Sequence, residues 1–287
     1  MYLSHWNLKR RPFADAPDSR FFFHSATHDA ALAGLLYAIE ESRSAALLVG
    51  DFGSGKTLVL RALAGGLSGT GRYRAGMLTN TLLSPAEVVL AAARALGAED
   101  LPESPAAVSE SRAQDRLAAH LQALAAGSAR AVLAIDDAQA IESPRVWEAL
   151  RQMLSIPAGE LAPLTLLLAG SPALADRLKA APGFSERIGV RSALAPLSEE
   201  ETLDYLLHRL ACAEAASGIF TRRAAQAIAR LSGGLPARIN QLAELALAAA
   251  FGLGLKVVGP EVVAMAAEEL TGGEVQAPRR APAGFGP

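Results

Sequence analysis

The segment Leu47-Leu48-Val49-Gly50-Asp51-Phe52-Gly53-Ser54-Gly55-Lys56-Thr57 holds the residues best suited to chemistry. It reads G-x-x-x-x-G-K-T between an apolar run and an amphipathic stretch through Leu58, Leu60 and Leu63, the strand–loop–helix setting a P-loop requires. Glycines at Gly50, Gly53 and Gly55 let the backbone wrap an anion and turn several N–H groups inward. A helix opening near Lys56 adds the positive end of its dipole. Lys56 is expected to reach β- and γ-phosphate oxygens, and the Thr57 hydroxyl to ligate Mg²⁺. The cradle expected to hold ATP or ADP is thus Gly50, Asp51, Phe52, Gly53, Ser54, Gly55, Lys56, Thr57 and Leu58.

A second apolar run, Ala131-Val132-Leu133-Ala134-Ile135, ends in Asp136-Asp137. Runs apolar at every position suit parallel strands buried on both faces. A carboxylate leaving such a strand beside the P-loop strand lies where Mg²⁺ and its waters sit. Asp136 is expected in the metal shell with Thr57, and Asp137 to orient or deprotonate the attacking water. Ser171 follows the next apolar run. In P-loop ATPases with an extra strand between the two motifs, a polar residue there contacts the γ-phosphate or the water. Ser171 also precedes Pro172, so a plain helix cap is equally open. Arg187 and Arg191 flank a fifth strand. In ring ATPases an arginine there reaches the neighbouring subunit's site and stabilises charge on the γ-phosphoryl group, with surface salt bridges as the alternative. Arg238 lies in the first turn of a helix, where the dipole disfavours a cation unless a phosphate compensates. It is expected to sense the γ-phosphate.

These residues need a scaffold, and the periodicity supplies one. Strands are expected at Ala45–Val49, Arg74–Thr79, Ala131–Ile135, Leu164–Ala169 and 187–194, alternating with helices. A helix from Thr27 to Ser42 precedes the first strand, and the P-loop helix should stop at Gly65-Gly66. Ser84-Pro85-Ala86-Glu87 and Ser198-Glu199-Glu200-Glu201 are capping boxes. The alternation implies an α/β fold, a parallel sheet with helices on both faces. From Pro196 only helical patterns remain. The expected organisation is an aromatic N-terminal segment (1–26) packed on the core, a nucleotide-binding core (27–195), a small all-α lid (196–270) and a disordered tail (271–287).

With 287 residues and a net charge of −2, the chain suits one large and one small domain, with no global field favouring nucleic acid. A single cysteine, Cys212, excludes an internal disulfide framework or a cysteine-based zinc site. No secretory signal and no transmembrane segment stand out, so a cytoplasmic location is expected.

In this order the P-loop, Asp136-Asp137, Ser171, Arg187 and Arg238 resemble an AAA+ ATPase. Tyr2-Leu3-Ser4-His5-Trp6-Asn7-Leu8 with Arg11-Pro12-Phe13, then Pro17-Asp18-Ser19-Arg20-Phe21-Phe22, is similar to the start of the ExeA/GspA-like ATPases of general secretion. Asp137-Ala138-Gln139, the stretch 187–197 and Gly234-Leu235-Pro236-Ala237-Arg238-Ile239-Asn240 resemble that family as well. The core is also similar to TniB/TnsC-type transposition ATPases. The family pattern has glutamate where this chain has Asp137. The shorter side chain ends about one methylene farther from the water, which implies slower turnover.

The resemblance implies an ATPase that hydrolyses ATP with Mg²⁺ at subunit interfaces of a homo-oligomeric ring or filament and acts on a partner protein. Two alternatives stay open. One is an ATP-dependent DNA-binding regulator of the transposition type. The other is a nucleotide-locked scaffold that turns over slowly.

Overall fold

In a computed structural model the described residues are 2–14, 18–99, 101–102, 108–157, 162–215 and 218–270. They fall into two compact units, a sheet unit up to Pro196 and a helical unit from Leu197 that also includes the first residues of the chain. The expected tail at 271–287 lies outside the described residues.

The helical unit begins with α1 (Tyr2–His5). The sheet unit follows with α2 (Ala26–Glu40), β1 (Ala45–Gly50), α3 (Lys56–Ser68), β2 (Tyr73–Leu78), α4 (Pro85–Ala95) and α5 (Glu110–Ala126). It continues through β3 (Arg130–Ile135), α6 (Pro144–Met153), β4 (Leu164–Gly170), α7 (Leu174–Lys179), α8 (Pro182–Ser185) and β5 (Ile188–Leu194). The strand order is β2-β3-β4-β1-β5, and every pairing is parallel. β1, β3 and β4 are almost wholly buried because successive side chains feed opposite layers. Leu47, Leu133, Ile135, Leu166 and Leu168 face a layer that includes α4, α5 and α6. Ala46, Leu48, Val132, Ala134, Leu167 and Ala169 face α2 and α3.

The P-loop helix does not stop at Gly65-Gly66. α3 continues to Ser68, because Leu67 prolongs the buried row of Val59, Leu60 and Leu63. Both glycines are solvent-facing, so the helix bears only their modest propensity penalty.

The helical unit continues with α9 (Glu199–Cys212), α10 (Arg222–Ser232), α11 (Pro236–Gly252) and α12 (Pro260–Leu270). The capping box at Ser198 and Glu201 is formed. Residues 2–14 group with these helices, whereas 18–26 group with the sheet unit, so the segment expected to pack as one piece on the core divides between the two units. The reason is specific. Trp6 is buried and its indole N–H donates to the Leu247 carbonyl at 3.3 Å. Buried Phe13 meets Phe220 edge-on. The Arg209 guanidinium, also buried, donates to the carbonyls of Pro12 and Ala14 and to the Tyr205 hydroxyl. Cys212 is half-buried at the end of α9. Among the described residues no helix is long and apolar enough to cross a membrane.

Candidate nucleotide site

Because the strands are parallel, β1, β3 and β4 end on one edge of the sheet. Val49 pairs with Gly170, and Leu168 with Ile135. The loop after β1, Asp136-Asp137 after β3 and Ser171 after β4 therefore share that edge. The site is built by chain topology before any side chain is considered.

The loop turns on two glycines with different reasons to be glycine. Gly55, the N-cap of α3, has φ +100°, a conformation that side chains rarely adopt. Gly50 is required for space: a Cβ there would lie 2.5 Å from Ser54 Oγ and 3.1 Å from Leu194 Cβ. The close approach of Ser54 is thus a second reason for glycine at position 50. That serine is buried, and among the described residues its hydroxyl has no hydrogen-bond partner.

Of the loop's backbone donors, the Ser54 N–H is used, by the Asp51 carbonyl at 3.1 Å. Among the described residues the backbone N–H groups of Gly53, Gly55, Lys56 and Thr57 donate to no other group. A row of backbone donors without protein acceptors at a helix N-terminus is suited to an anion. Lys56 is folded back into it. Its ammonium donates to the carbonyls of Gly50 at 2.8 Å and Asp51 at 2.9 Å. Burial pushes the Lys56 pKa below its ordinary value, against the pull of Asp137, Asp136 and Asp51. Asp51 and Phe52 are exposed on the loop's outer side, and Leu58 is half-buried in the first turn of α3.

Thr57 Oγ1 donates to Asp136 Oδ2 at 2.5 Å, joining the P-loop to the end of β3. Asp136 is buried, and its other oxygen accepts from the Asp137 N–H at 3.0 Å. This hydroxyl–carboxylate pair is a hard oxygen donor set of the kind Mg²⁺ takes, with phosphate oxygens and water completing its shell. The residues present fit such an ion, and Thr57 and Asp136 are the side chains that would hold it.

Asp137 is exposed and left-handed at φ 50°. Its carboxylate accepts from Gln139 Nε2 at 3.0 Å. The Gln139 amide oxygen accepts from the Ser171 N–H, also at 3.0 Å. Gln139 thus ties the end of β3 to the end of β4. Arg177 steadies it by donating to the Gln139 carbonyl and pairing with Glu142 at 2.7 Å. Ser171 does not cap a helix: the N-cap of α7 is Ala173, with no side-chain cap bond.

Within the sheet unit, Arg187 and Arg191 are not brought to the loop after β1. Arg187 immediately precedes β5, whose first residue pairs with Ala45 at the start of β1. Arg187 therefore lies at the opposite sheet edge, about 20 Å of strand away. Arg191 sits mid-strand beside Leu47, exposed, with its guanidinium 3.4 Å from Ser185 Oγ. Arg238 is exposed in the first turn of α11, in the helical unit.

Two residues of the site escaped sequence reading. Gln139 belongs to the Asp137-Ala138-Gln139 run, and that run is its only signal in the sequence. His28, buried in the first turn of α2, contacts the Ser54 carbonyl through Nε2 at 3.0 Å. No spacing rule marks a histidine that lies 26 residues from its acceptor.

Comparison with known proteins agrees with this geometry. A family model described as an AAA domain matches residues 39–178. General secretion pathway protein A of Aeromonas hydrophila is 31% identical over 274 residues, covering 95% of this chain. The chain spans about half (49%) of the length of that relative. Among solved structures, Cdc6p of Pyrobaculum aerophilum superposes with a TM-score of 0.72 at 18% identity, over 90% of this chain and 70% of that one. ORC2 of Aeropyrum pernix, in its ADPNP–ADP complexes, gives 0.69 at 17% identity, over 94% and 72%. The RuvB Holliday junction branch migration motor of Thermotoga maritima gives 0.56 at 18% identity, over 87% and 70%. At these identities the structures share the fold. The parallel sheet with its P-loop, the AAA-domain match and the similarity over nearly all of its length to general secretion pathway protein A make this chain a member of the AAA+ ATPases.

Proposed function

We propose that the chain binds ATP with Mg²⁺ in the cradle after β1, hydrolyses it slowly, and uses the bound nucleotide to control its own assembly on a partner protein. The observation that carries this reading is the row of unused N–H donors beside the Thr57–Asp136 pair. In this reading the loop amides and Lys56 hold the phosphates. The ammonium exchanges its two carbonyl partners for phosphate oxygens, gaining charged acceptors in place of neutral ones. Asp136 and Thr57 hold the metal, which supplies charge neutralisation on the phosphates. Asp137 orients water under the restraint of Gln139, and Ser171 stands at the same edge to contact the γ-phosphate or that water. The proposed path to oligomerisation is geometric. Arg187 lies far from the loop end of its own chain, so it serves a nucleotide only from a second copy, with Arg191, mid-strand, as the second candidate. Arg238 is the proposed γ-phosphate sensor of the helical unit.

A second reading, a DNA-dependent assembly, draws support from two relatives in fold: ORC1 of Aeropyrum pernix solved in complex with DNA, and the RuvB branch migration motor. Light scattering after size exclusion separates the two. Wild type and Lys56→Ala are compared without nucleotide, with ADP and with a non-hydrolysable ATP analogue, each with and without duplex DNA. A defined oligomer of wild type with the analogue alone supports the first reading. An oligomer that also needs DNA supports the second. No assembly under any condition removes the proposed role of Arg187.

A further inference from the structure

We infer that His28 is a positioning residue for the phosphate cradle: it fixes the Ser54–Gly55 peptide plane and so aims the Gly55 N–H at a bound phosphate. The inference rests on the proposed nucleotide reading and adds to it a residue outside the P-loop.

The contacts around the ring place a proton on Nε2. Ser25 is the N-cap of α2, and its Oγ accepts from the His28 backbone N–H at 3.3 Å. The same Oγ lies 2.7 Å from His28 Nδ1. Nε2 faces the Ser54 carbonyl at 3.0 Å. The Ser54 carbonyl can only accept, so Nε2 carries the proton, and in the neutral ring the Ser25 hydroxyl donates to Nδ1 while accepting from the backbone. One neutral tautomer satisfies all three contacts, and the buried ring is held between a helix cap and the P-loop.

The consequence follows from peptide geometry. The carbonyl of one residue and the N–H of the next lie in one plane and point in opposite directions. With the Ser54 carbonyl turned to His28, the Gly55 N–H must point away from α2. That N–H is one of the unused loop donors. The packing is tight as well, since a Cβ on Gly55 would lie 2.9 Å from His28 Nε2. Without the imidazole, the Ser54 carbonyl loses its acceptor role. The peptide is then free to rotate, which the φ +100° of Gly55 makes easy.

The test is equilibrium binding of a fluorescent ATP analogue to wild type, His28→Ala, His28→Gln, His28→Asn and Lys56→Ala. Glutamine places an N–H donor near the position of Nε2, whereas asparagine reaches only the position of Nδ1. The expected result is about ten- to a hundredfold weaker binding for His28→Ala and His28→Asn. For His28→Gln, affinity is expected to return to within about threefold of wild type. Equal weakening by all three His28 variants, or none, overturns the inference while Lys56→Ala still abolishes binding. If Lys56→Ala binds as wild type does, the nucleotide reading itself fails. ¹⁵N–¹H correlation of the imidazole in the wild-type protein gives an independent readout that needs no variant to fold. It should show a ring protonated at Nε2; a ring protonated at Nδ1 alone overturns the inference.

Discussion

Replacing Gln139 separates the positioning of Asp137 from the binding of nucleotide. The side chain makes two 3.0 Å hydrogen bonds, donating to Asp137 Oδ1 and accepting from the Ser171 N–H. Gln139→Ala removes both and leaves the Ser171 amide unsatisfied, a local loss of about 1–3 kcal/mol. The exposed Asp137 carboxylate then loses its restraint. A displacement of about 1 Å in a reacting geometry costs about a hundredfold in rate. Phosphate release by Gln139→Ala should therefore fall ten- to about a hundredfold, with the affinity for an ATP analogue unchanged. Gln139→Glu sharpens the test. It keeps an acceptor for Ser171 but sets a carboxylate against Asp137. Two unit charges about 3 Å apart repel by about 1.4 kcal/mol even at the dielectric of water. That is about tenfold in rate if the repulsion displaces the base. Phosphate release under saturating ATP is the assay. Wild-type release rates for both variants would refute the positioning of Asp137 by Gln139. A matching loss of affinity would show instead that Gln139 holds the cradle.

Gly55→Ala forces an alanine to φ +100° with its Cβ 2.9 Å from His28 Nε2, and should lower stability by about 1–3 kcal/mol in denaturant titration. Lys56 has a folded pKa below its ordinary value near 10.5, so the folded state binds fewer protons there than the unfolded one. Nucleotide-free wild type should gain stability relative to Lys56→Met as pH rises through the lowered pKa toward about 10.5, read as the shift in denaturation midpoint with pH. Trp6→Ala should cost the helical unit about 3–5 kcal/mol, because the buried indole fills space and donates to Leu247, and circular dichroism melts would register it.

Much of the sheet unit is legible along the chain because its signals are local. β1, β3 and β4 are buried on both faces, so they stand out as uninterrupted apolar runs that end at Gly50, Asp136 and Gly170. The G-x-x-x-x-G-K-T spacing and the capping boxes at Ser84 and Ser198 act within one turn and form as their residues dictate. What distant contacts decide is not legible. Nothing local says that β4 inserts between β3 and β1. The buried row ending at Leu67 carries α3 through two glycines that would otherwise end it. Tyr2, Trp6 and Phe13 advertise burial, yet their partners Glu244, Leu247 and Phe220 come more than two hundred residues later. Gln139 and His28 became visible only once their partners on other segments were placed.

The central claim is that the cradle after β1 holds ATP with Mg²⁺. Calorimetric titration of a non-hydrolysable ATP analogue tests it, with and without Mg²⁺, into wild type, Lys56→Ala and Asp136→Asn. The account predicts binding to wild type that Mg²⁺ strengthens, no measurable binding to Lys56→Ala, and loss of the Mg²⁺ enhancement in Asp136→Asn. Binding to Lys56→Ala with wild-type affinity, or a Mg²⁺ enhancement that survives in Asp136→Asn, would contradict it.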